Sequence, residues 1–170
     1  MSYFVIGLLV LAIIVVLVSV KVVQQQRVGV LERLGKFDRL LHPGLNIVLP
    51  FAEYVRTYHD LRIQQTGVPP QSVSTKDNAQ VIIDTIIFYQ VINPEQATYG
   101  ISDLVQGVRN ISTASMRQII GNLELDEALS GRERISTEIR LTLDEATEKW
   151  GVRIERVEVV HIKPPTDIQE

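Results

Sequence analysis

The chain opens with one long apolar run and then changes to short alternating stretches. Residues 3–20 form eighteen consecutive positions without a charge. Residues 28–34 contain two β-branched side chains, Val28 and Val30, and are followed by Gly35, which predicts a strand and then a turn. Period-2 alternation continues through residues 45–51 and 55–63. The pattern predicts an apolar helix followed by several short strands.

A second group of elements follows a stretch rich in proline, serine and turn-forming residues at 67–80. Residues 81–92 are apolar on both faces apart from Asp84 and Gln90, which predicts a central strand covered on both sides. A carboxylate in so apolar a strand needs a partner or an exposed edge. We expect Asp84 to form a structural ion pair.

Helical periodicity dominates the next sixty residues. It predicts a short helix after Pro94, a longer one over 103–122 and a third over 132–150, which ends at Gly151. The third helix carries one apolar stripe: Ile135, Ile139, Leu143, Ala146 and Trp150. Residues 152–162 return to a strand pattern whose parity shifts at Glu155-Arg156, which predicts a β-bulge there.

The apolar run at the start predicts a retained transmembrane helix within residues 1–22, since eighteen helical residues extend about 27 Å. A cleaved signal peptide is the alternative, but no basic residue precedes the run and no small-x-small site ends it. Basic residues follow the run and none precedes it. We therefore expect a single-pass protein of the cell membrane with the remaining chain on the cytoplasmic side.

Composition and charge exclude several kinds of function for this protein. The 170 residues are 45% hydrophobic, enough for one apolar segment and one or two small domains, which excludes a large multidomain enzyme. Residues 21–63 hold seven basic and four acidic residues, whereas residues 64–170 hold ten and sixteen. The basic part suits an anionic leaflet, and the acidic part disfavours nucleic-acid binding. The absence of cysteine excludes disulfides, thiol catalysis and S-palmitoylation.

The sequence holds no pattern typical of an enzyme or a metal site. Its three histidines, His42, His59 and His161, lie in turn or strand patterns, with no nucleophile motif beside them. It contains neither an HExxH motif nor an aspartate-rich calcium loop, and its glycines do not form a phosphate loop. We expect a protein that is not an enzyme and uses no metal or other cofactor.

Two candidate contact surfaces remain. The stretch HPGLNIVLPF (42–51) is either a core strand or a second membrane contact, and its bracketing prolines and basic surroundings favour the membrane. The predicted membrane-contacting residues are Tyr3, Phe4, Leu8, Leu11, Ile14, Leu17, Leu45, Ile47, Val48, Leu49 and Phe51. The charged face of the third helix is either solvated or a contact with a neighbouring copy. With the last strand it supplies the subunit-contact candidates Glu138, Arg140, Glu145, Lys149, Arg153 and Arg156.

Four blocks of sequence resemble the stomatin, prohibitin, flotillin and HflK-C group, also called the SPFH or band 7 family. They are VGVLERLGKFDRLLHPGLNIVLPF, VSTKDNAQVIIDTIIFYQV, LELDEALSGRERI and WGVRIERVEVVHIKPP, in that order. The chain looks most similar to the bacterial stomatin-like (paraslipin) branch. The implied fold is α+β: a single transmembrane helix at 1–22, a β-rich membrane-proximal SPFH subdomain at 23–75 and an α+β SPFH subdomain at 76–163. Residues 164–170 would then begin a shortened C-terminal coiled-coil region.

The resemblance implies a membrane scaffold without enzyme activity that assembles in many copies into a ring or cage around a membrane microdomain. Membrane lipid and further copies of the chain are the implied partners. An alternative within the family is an adaptor or regulator of a membrane protease or of an NfeD-type membrane protein. The resemblance also implies that the β-rich part lies on the bilayer and that the α+β part packs against neighbouring subunits.

Overall fold

The computed structural model describes residues 2–163, with side chains from Tyr3 onward, so the predicted coiled-coil start at 164–170 lies outside the described residues. The chain divides into two compact units, Met1–Leu61 and Arg62–Glu170. In the first unit the elements are α1 (Ser2–Ser19), β1 (Val20–Val23), β2 (Arg27–Arg33), β3 (Lys36–Leu41), β4 (Gly44–Ile47) and β5 (Glu53–Asp60). In the second they are β6 (Gln64–Ser74), β7 (Gln80–Val91), α2 (Pro94–Tyr99), α3 (Leu104–Gly121), α4 (Leu125–Ser130), α5 (Arg132–Thr147), a 3₁₀ turn (Glu148–Trp150) and β8 (Val152–Lys163).

The apolar N-terminal helix is shorter than its sequence predicts. It ends at Ser19, because Val20–Val23 leave the helix and pair antiparallel with β4. Among residues 2–163, no helix is both long and apolar enough to cross a membrane. The prediction of a single-pass transmembrane helix over 1–22 is therefore wrong.

The first unit contains two small antiparallel sheets. One pairs β1 with β4, and the other has the strand order β3-β2-β5. Four side chains form its hydrophobic cluster, namely Val23, Leu31, Leu41 and Val48, with Val55 packed against them, and Val28 and Val30 are buried outside this cluster. A core of this size buries little apolar area, so polar contacts carry a larger share of the stability of this unit.

The second unit is a three-stranded antiparallel sheet, in the order β6-β7-β8, with helices packed on it. Odd-numbered side chains of β7, such as Ile83 and Ile87, are fully buried together with Ile139 and Leu143 of α5. The even-numbered side chains of β7 are half-buried or exposed. The expectation that this strand is covered on both faces is thus wrong for its even-numbered face.

The division between the units falls at Leu61/Arg62 rather than at the predicted 75/76. Strand β6 pairs with β7 along most of its length, from Gln64 opposite Tyr89 to Ser74 opposite Gln80, so it belongs to the second sheet. Within the turn-rich stretch 67–80, Lys76-Asp77-Asn78 forms the hairpin between these two strands, and Asn78 adopts the left-handed conformation there.

Several predicted details of the second unit are confirmed. Helix α3 begins after Asp103, whose carboxylate caps it, and α5 continues through the 3₁₀ turn to Gly151 at φ 64°. The pairing of β7 with β8 shifts register between Arg156 and Ile154, which places the bulge at Glu155. Asp84 has the partner that its apolar strand requires, since its carboxylate accepts a hydrogen bond from the His161 backbone N–H at 2.8 Å and lies 3.4 Å from the His161 imidazole. This contact is an ion pair only when the imidazole is protonated, so the ion pair stays a prediction.

Candidate functional site

The stretch from Leu45 to Phe51 exposes one side and buries the other. Leu45, Ile47, Leu49 and Phe51 are exposed, and Phe51 is 100% exposed. Val48 is only 4% exposed and lies in the core of the first unit. The alternation read from the sequence is therefore present. However, Val48, predicted to contact the membrane, is placed in the protein interior.

A second apolar turn lies beside Phe51. Leu34 occupies the turn between β2 and β3 and is 82% exposed, and its N–H donates to the Ala52 carbonyl at 3.0 Å. Leu34 and Phe51 both adopt left-handed backbone conformations, with φ of 50° and 71°. L-residues with large side chains are disfavoured there by roughly 1–2 kcal/mol. Two unfavourable turns thus present large apolar side chains to the surroundings.

We define the apolar tip as Leu34, Leu45, Ile47, Leu49 and Phe51. Sequence reasoning missed Leu34, although a leucine before the glycine of a predicted turn is an available signal. Exposed apolar side chains that occur singly are ordinary, but a group on neighbouring turns and a short strand is typical of an interaction surface.

A buried carboxylate holds the tip in place. The Glu53 side chain is completely buried, and its oxygens accept from the Leu49 N–H at 2.9 Å and from Arg33 Nε at 3.0 Å. Arg39 contacts the same carboxylate at 3.1 Å and also donates to the Ile47 carbonyl at 2.9 Å. Asp38 completes the cluster at 2.7 Å from Arg39. Glu53 and Arg39 therefore fix the backbone on which three of the tip side chains sit.

This environment lowers the pKa of Glu53 from 4.5 to about 2, through the Leu49 N–H first and then the guanidinium groups of Arg39 and Arg33. A carboxylate with a lowered folded-state pKa stabilises the fold fully above its unfolded pKa, near 4.5. That contribution is lost as the pH falls toward 2.

Glu53→Gln is expected to destabilise the first unit by about 2 kcal/mol at pH 7, because an amide NH₂ replaces one charged acceptor facing two guanidinium groups. The difference from the wild type should shrink between pH 4.5 and pH 2. Urea unfolding followed on backbone amide NMR signals of β2 measures it.

Asp38→Asn is the matched control, since Asp38 contacts the same arginines but is partly exposed. It should cost less than about 1 kcal/mol. A Glu53→Gln protein as stable as the wild type at pH 7 would contradict the assigned role of Glu53.

A cleft of about 450 Å³ opens beside the tip. Its lining includes Phe51, Tyr54, Tyr58 and Lys21. The Tyr54 hydroxyl donates to the buried carboxylate of Glu32, and this hydrogen bond raises the pKa of Tyr54. The cleft thus combines aromatic rings with one cation, a combination that suits the region between lipid headgroups and acyl chains.

Helix α1 exposes apolar side chains on every side. The predicted lipid-facing residues in it are all exposed: Tyr3, Phe4, Leu8, Leu11, Ile14 and Leu17. Ser19 is the last residue of the helix, and its hydroxyl donates a hydrogen bond to the Val15 carbonyl at 2.7 Å. A helix that is apolar all round is stable only when protein or lipid covers it.

The predicted subunit-contact residues are distributed over α5, the 3₁₀ turn and β8. Glu145 and Arg153 line a common groove at the start of β8. Glu138 accepts from Arg134 at 3.0 Å, and Arg140 is half-buried on the same helix. Lys149 lies 5.7 Å from the Trp150 ring, and Arg156 lies over Phe88 and pairs with Glu158. In residues 2–163, no cluster of three or more His, Asp or Glu side chains has the geometry to hold a metal ion.

The comparisons with known proteins agree on one family. The family model described as SPFH domain / Band 7 family matches residues 21–170. An uncharacterized protein of Methanothermobacter thermautotrophicus is 44% identical over 169 residues, which cover 95% of this chain and 53% of the relative. An uncharacterized protein of Methanocaldococcus jannaschii is 40% identical over 160 residues, which cover 94% of this chain and 80% of the relative.

A further relative carries a descriptive name. Stomatin-like protein 2, mitochondrial, of Bos taurus is 34% identical over 148 residues, which cover 87% of this chain and 42% of that protein. The chain spans about half the length of several curated relatives that it matches.

Proposed function

Because the chain belongs to the SPFH domain / band 7 family, we propose that it is a membrane-associated scaffold that assembles in many copies around a patch of membrane. In this proposal the first unit binds lipid and the second unit contacts neighbouring copies. Neither role requires a reacting group.

The apolar tip is the observation that carries the proposal. Large apolar side chains stand exposed on two turns with unfavourable backbone conformations, and a buried ion cluster fixes one of these turns. Such strain persists where the surrounding structure enforces it, and it is concentrated at functional positions. Covering two or three of these side chains with lipid contributes about 1.5–3 kcal/mol each.

Charge supports the same orientation of the first unit toward a bilayer. In the first unit, residues 21–61 hold six basic and four acidic residues, which gives two net positive charges, and Lys21 and Lys36 are exposed. A basic residue close to an anionic leaflet contributes about 1 kcal/mol. Together with the exposed side chains of α1, the tip gives the first unit two separate apolar contacts with lipid.

The proposal predicts that the purified chain forms assemblies many times heavier than its 19.2 kDa protomer when it is extracted with native lipid. Mass photometry in mild detergent, with and without added lipid, measures this. Protomers alone under both conditions would contradict the scaffold.

A further inference from the structure

Two grooves of opposite charge flank the two edge strands of the second sheet. One lies between the C-terminal half of α5 and the start of β8, has a volume of about 370 Å³, and is lined by Asp144, Glu145, Glu148 and Arg153. The other lies between β6 and α3, has a volume of about 440 Å³, and is lined by Arg109 and Arg117. We name them the acidic groove and the basic groove.

The net charges of the grooves match in size. Three carboxylates and one guanidinium give the acidic groove two net negative charges, and two guanidinium groups give the basic groove two positive ones. Glu145, Glu148 and Arg117 are exposed, so a partner can reach them. The Arg109 side chain is held by a 2.9 Å hydrogen bond from its Nε to Thr66 Oγ1, which restricts the position of this guanidinium group in the basic groove.

Both grooves also offer apolar surface. Ile92 and Leu141 are more than half exposed at the acidic groove, and Pro69 and Ala114 are exposed at the basic groove. Apolar contact in the centre of a charged surface supplies affinity, while the charges around it set orientation and exclude wrong partners.

We infer that the acidic groove of one copy binds the basic groove of the next. The inference rests on the proposed scaffold and identifies its lateral contact. Because β7 separates the two edge strands, the grooves are different surfaces, and a contact between them is heterologous. Heterologous contacts repeat from copy to copy and close into a ring when the rotation between copies allows it.

Charge reversal tests this contact. Asn110→Glu with Arg117→Glu changes the basic groove from two net positive charges to one negative, and Glu145→Arg with Glu148→Arg changes the acidic groove to two positive. All four side chains are exposed, and Arg109 is left in place. Each reversed pair should raise the concentration at half-assembly at least about 10-fold, since close like charges oppose association.

Restoration separates a direct contact from general damage. An equal mixture of the two reversed proteins should assemble again. The native acidic groove of one protein binds the native basic groove of the other, and the two reversed grooves, which also carry opposite charges, bind each other. The chain that carries all four substitutions should assemble for the same reason. Lys76→Glu, an exposed reversal outside both grooves, is the control and should leave assembly unchanged.

The readout is assembly mass of the full chain in mild detergent with lipid, after circular dichroism has verified that each variant is folded. Assembly of both reversed proteins at wild-type concentrations would overturn the groove contact and leave the scaffold standing. Loss without restoration in the mixture would also overturn it. A wild-type chain that never assembles would overturn both the contact and the scaffold.

Discussion

Leu49→Asp with Phe51→Asp should lower binding to vesicles that contain anionic lipid at least about 100-fold, in a chain that begins at Val20 so that α1 is absent. Both side chains are exposed on the apolar tip. Removing each one from its contact with lipid should weaken the binding free energy by about 1.5–3 kcal/mol. Every 1.4 kcal/mol changes the binding constant tenfold. Vesicle flotation over a range of lipid concentrations measures the change.

Gln24→Asp with Gln25→Asp is the matched control. It adds the same two negative charges at exposed polar positions of the first unit. These positions lie between β1 and β2, whereas Leu49 and Phe51 lie between β4 and β5. The control should lose no more than about 30-fold, since charge repulsion near the surface is worth about 1 kcal/mol per residue, or about 2 kcal/mol for the pair. Equal losses in both proteins would contradict an apolar contact and leave only electrostatic attraction.

Gly151→Ala should destabilise the second unit by roughly 3 kcal/mol or more. Gly151 ends the 3₁₀ turn at φ 64°, and a Cβ there would lie 2.6 Å from both the Asn93 carbonyl oxygen and the Asn93 Cβ. The Gly151 carbonyl also accepts from the Ile92 and Asn93 N–H groups, so the backbone cannot shift without losing these bonds. The energetic cost of a left-handed alanine and the cost of overpacking against Asn93 therefore add. Urea unfolding followed by Trp150 fluorescence measures the loss.

Gly67→Ala is the control for this substitution. Gly67 lies in β6 with an ordinary φ, and an alanine Cβ at this position would have no atom within 4 Å, so the change in stability should be less than about 1 kcal/mol. A Gly151→Ala protein that unfolds at the same urea concentration as the wild type would contradict the close packing of Gly151 on Asn93.

Periodicity predicted the second unit well because its signals are local. The stripe on α5, the stop at Gly151 and the shift of parity at Glu155 each depend on neighbouring residues, and the structure places each where it is expected. Membership in the SPFH / band 7 family, which the four sequence blocks indicate, is also confirmed.

Features that depend on distant residues could not be predicted in the same way. Helix α1 ends at Ser19 because Val20–Val23 pair with a strand more than twenty residues later, and no local pattern marks that pairing. A lone glutamate such as Glu53 is expected on the protein surface, yet its side chain is buried and forms ion pairs with Arg33 and Arg39 from two other strands. Arg117 lines a groove that exists only because α3 packs beside β6, so no local sequence pattern marks this position.

Imaging the full chain on vesicles with anionic lipid by electron cryotomography tests the scaffold most directly. The proposed scaffold should appear as closed or curved rows of many copies, with the first unit against the bilayer and regular spacing between neighbours. Isolated single copies scattered on the membrane, or a surface without bound protein, would contradict it.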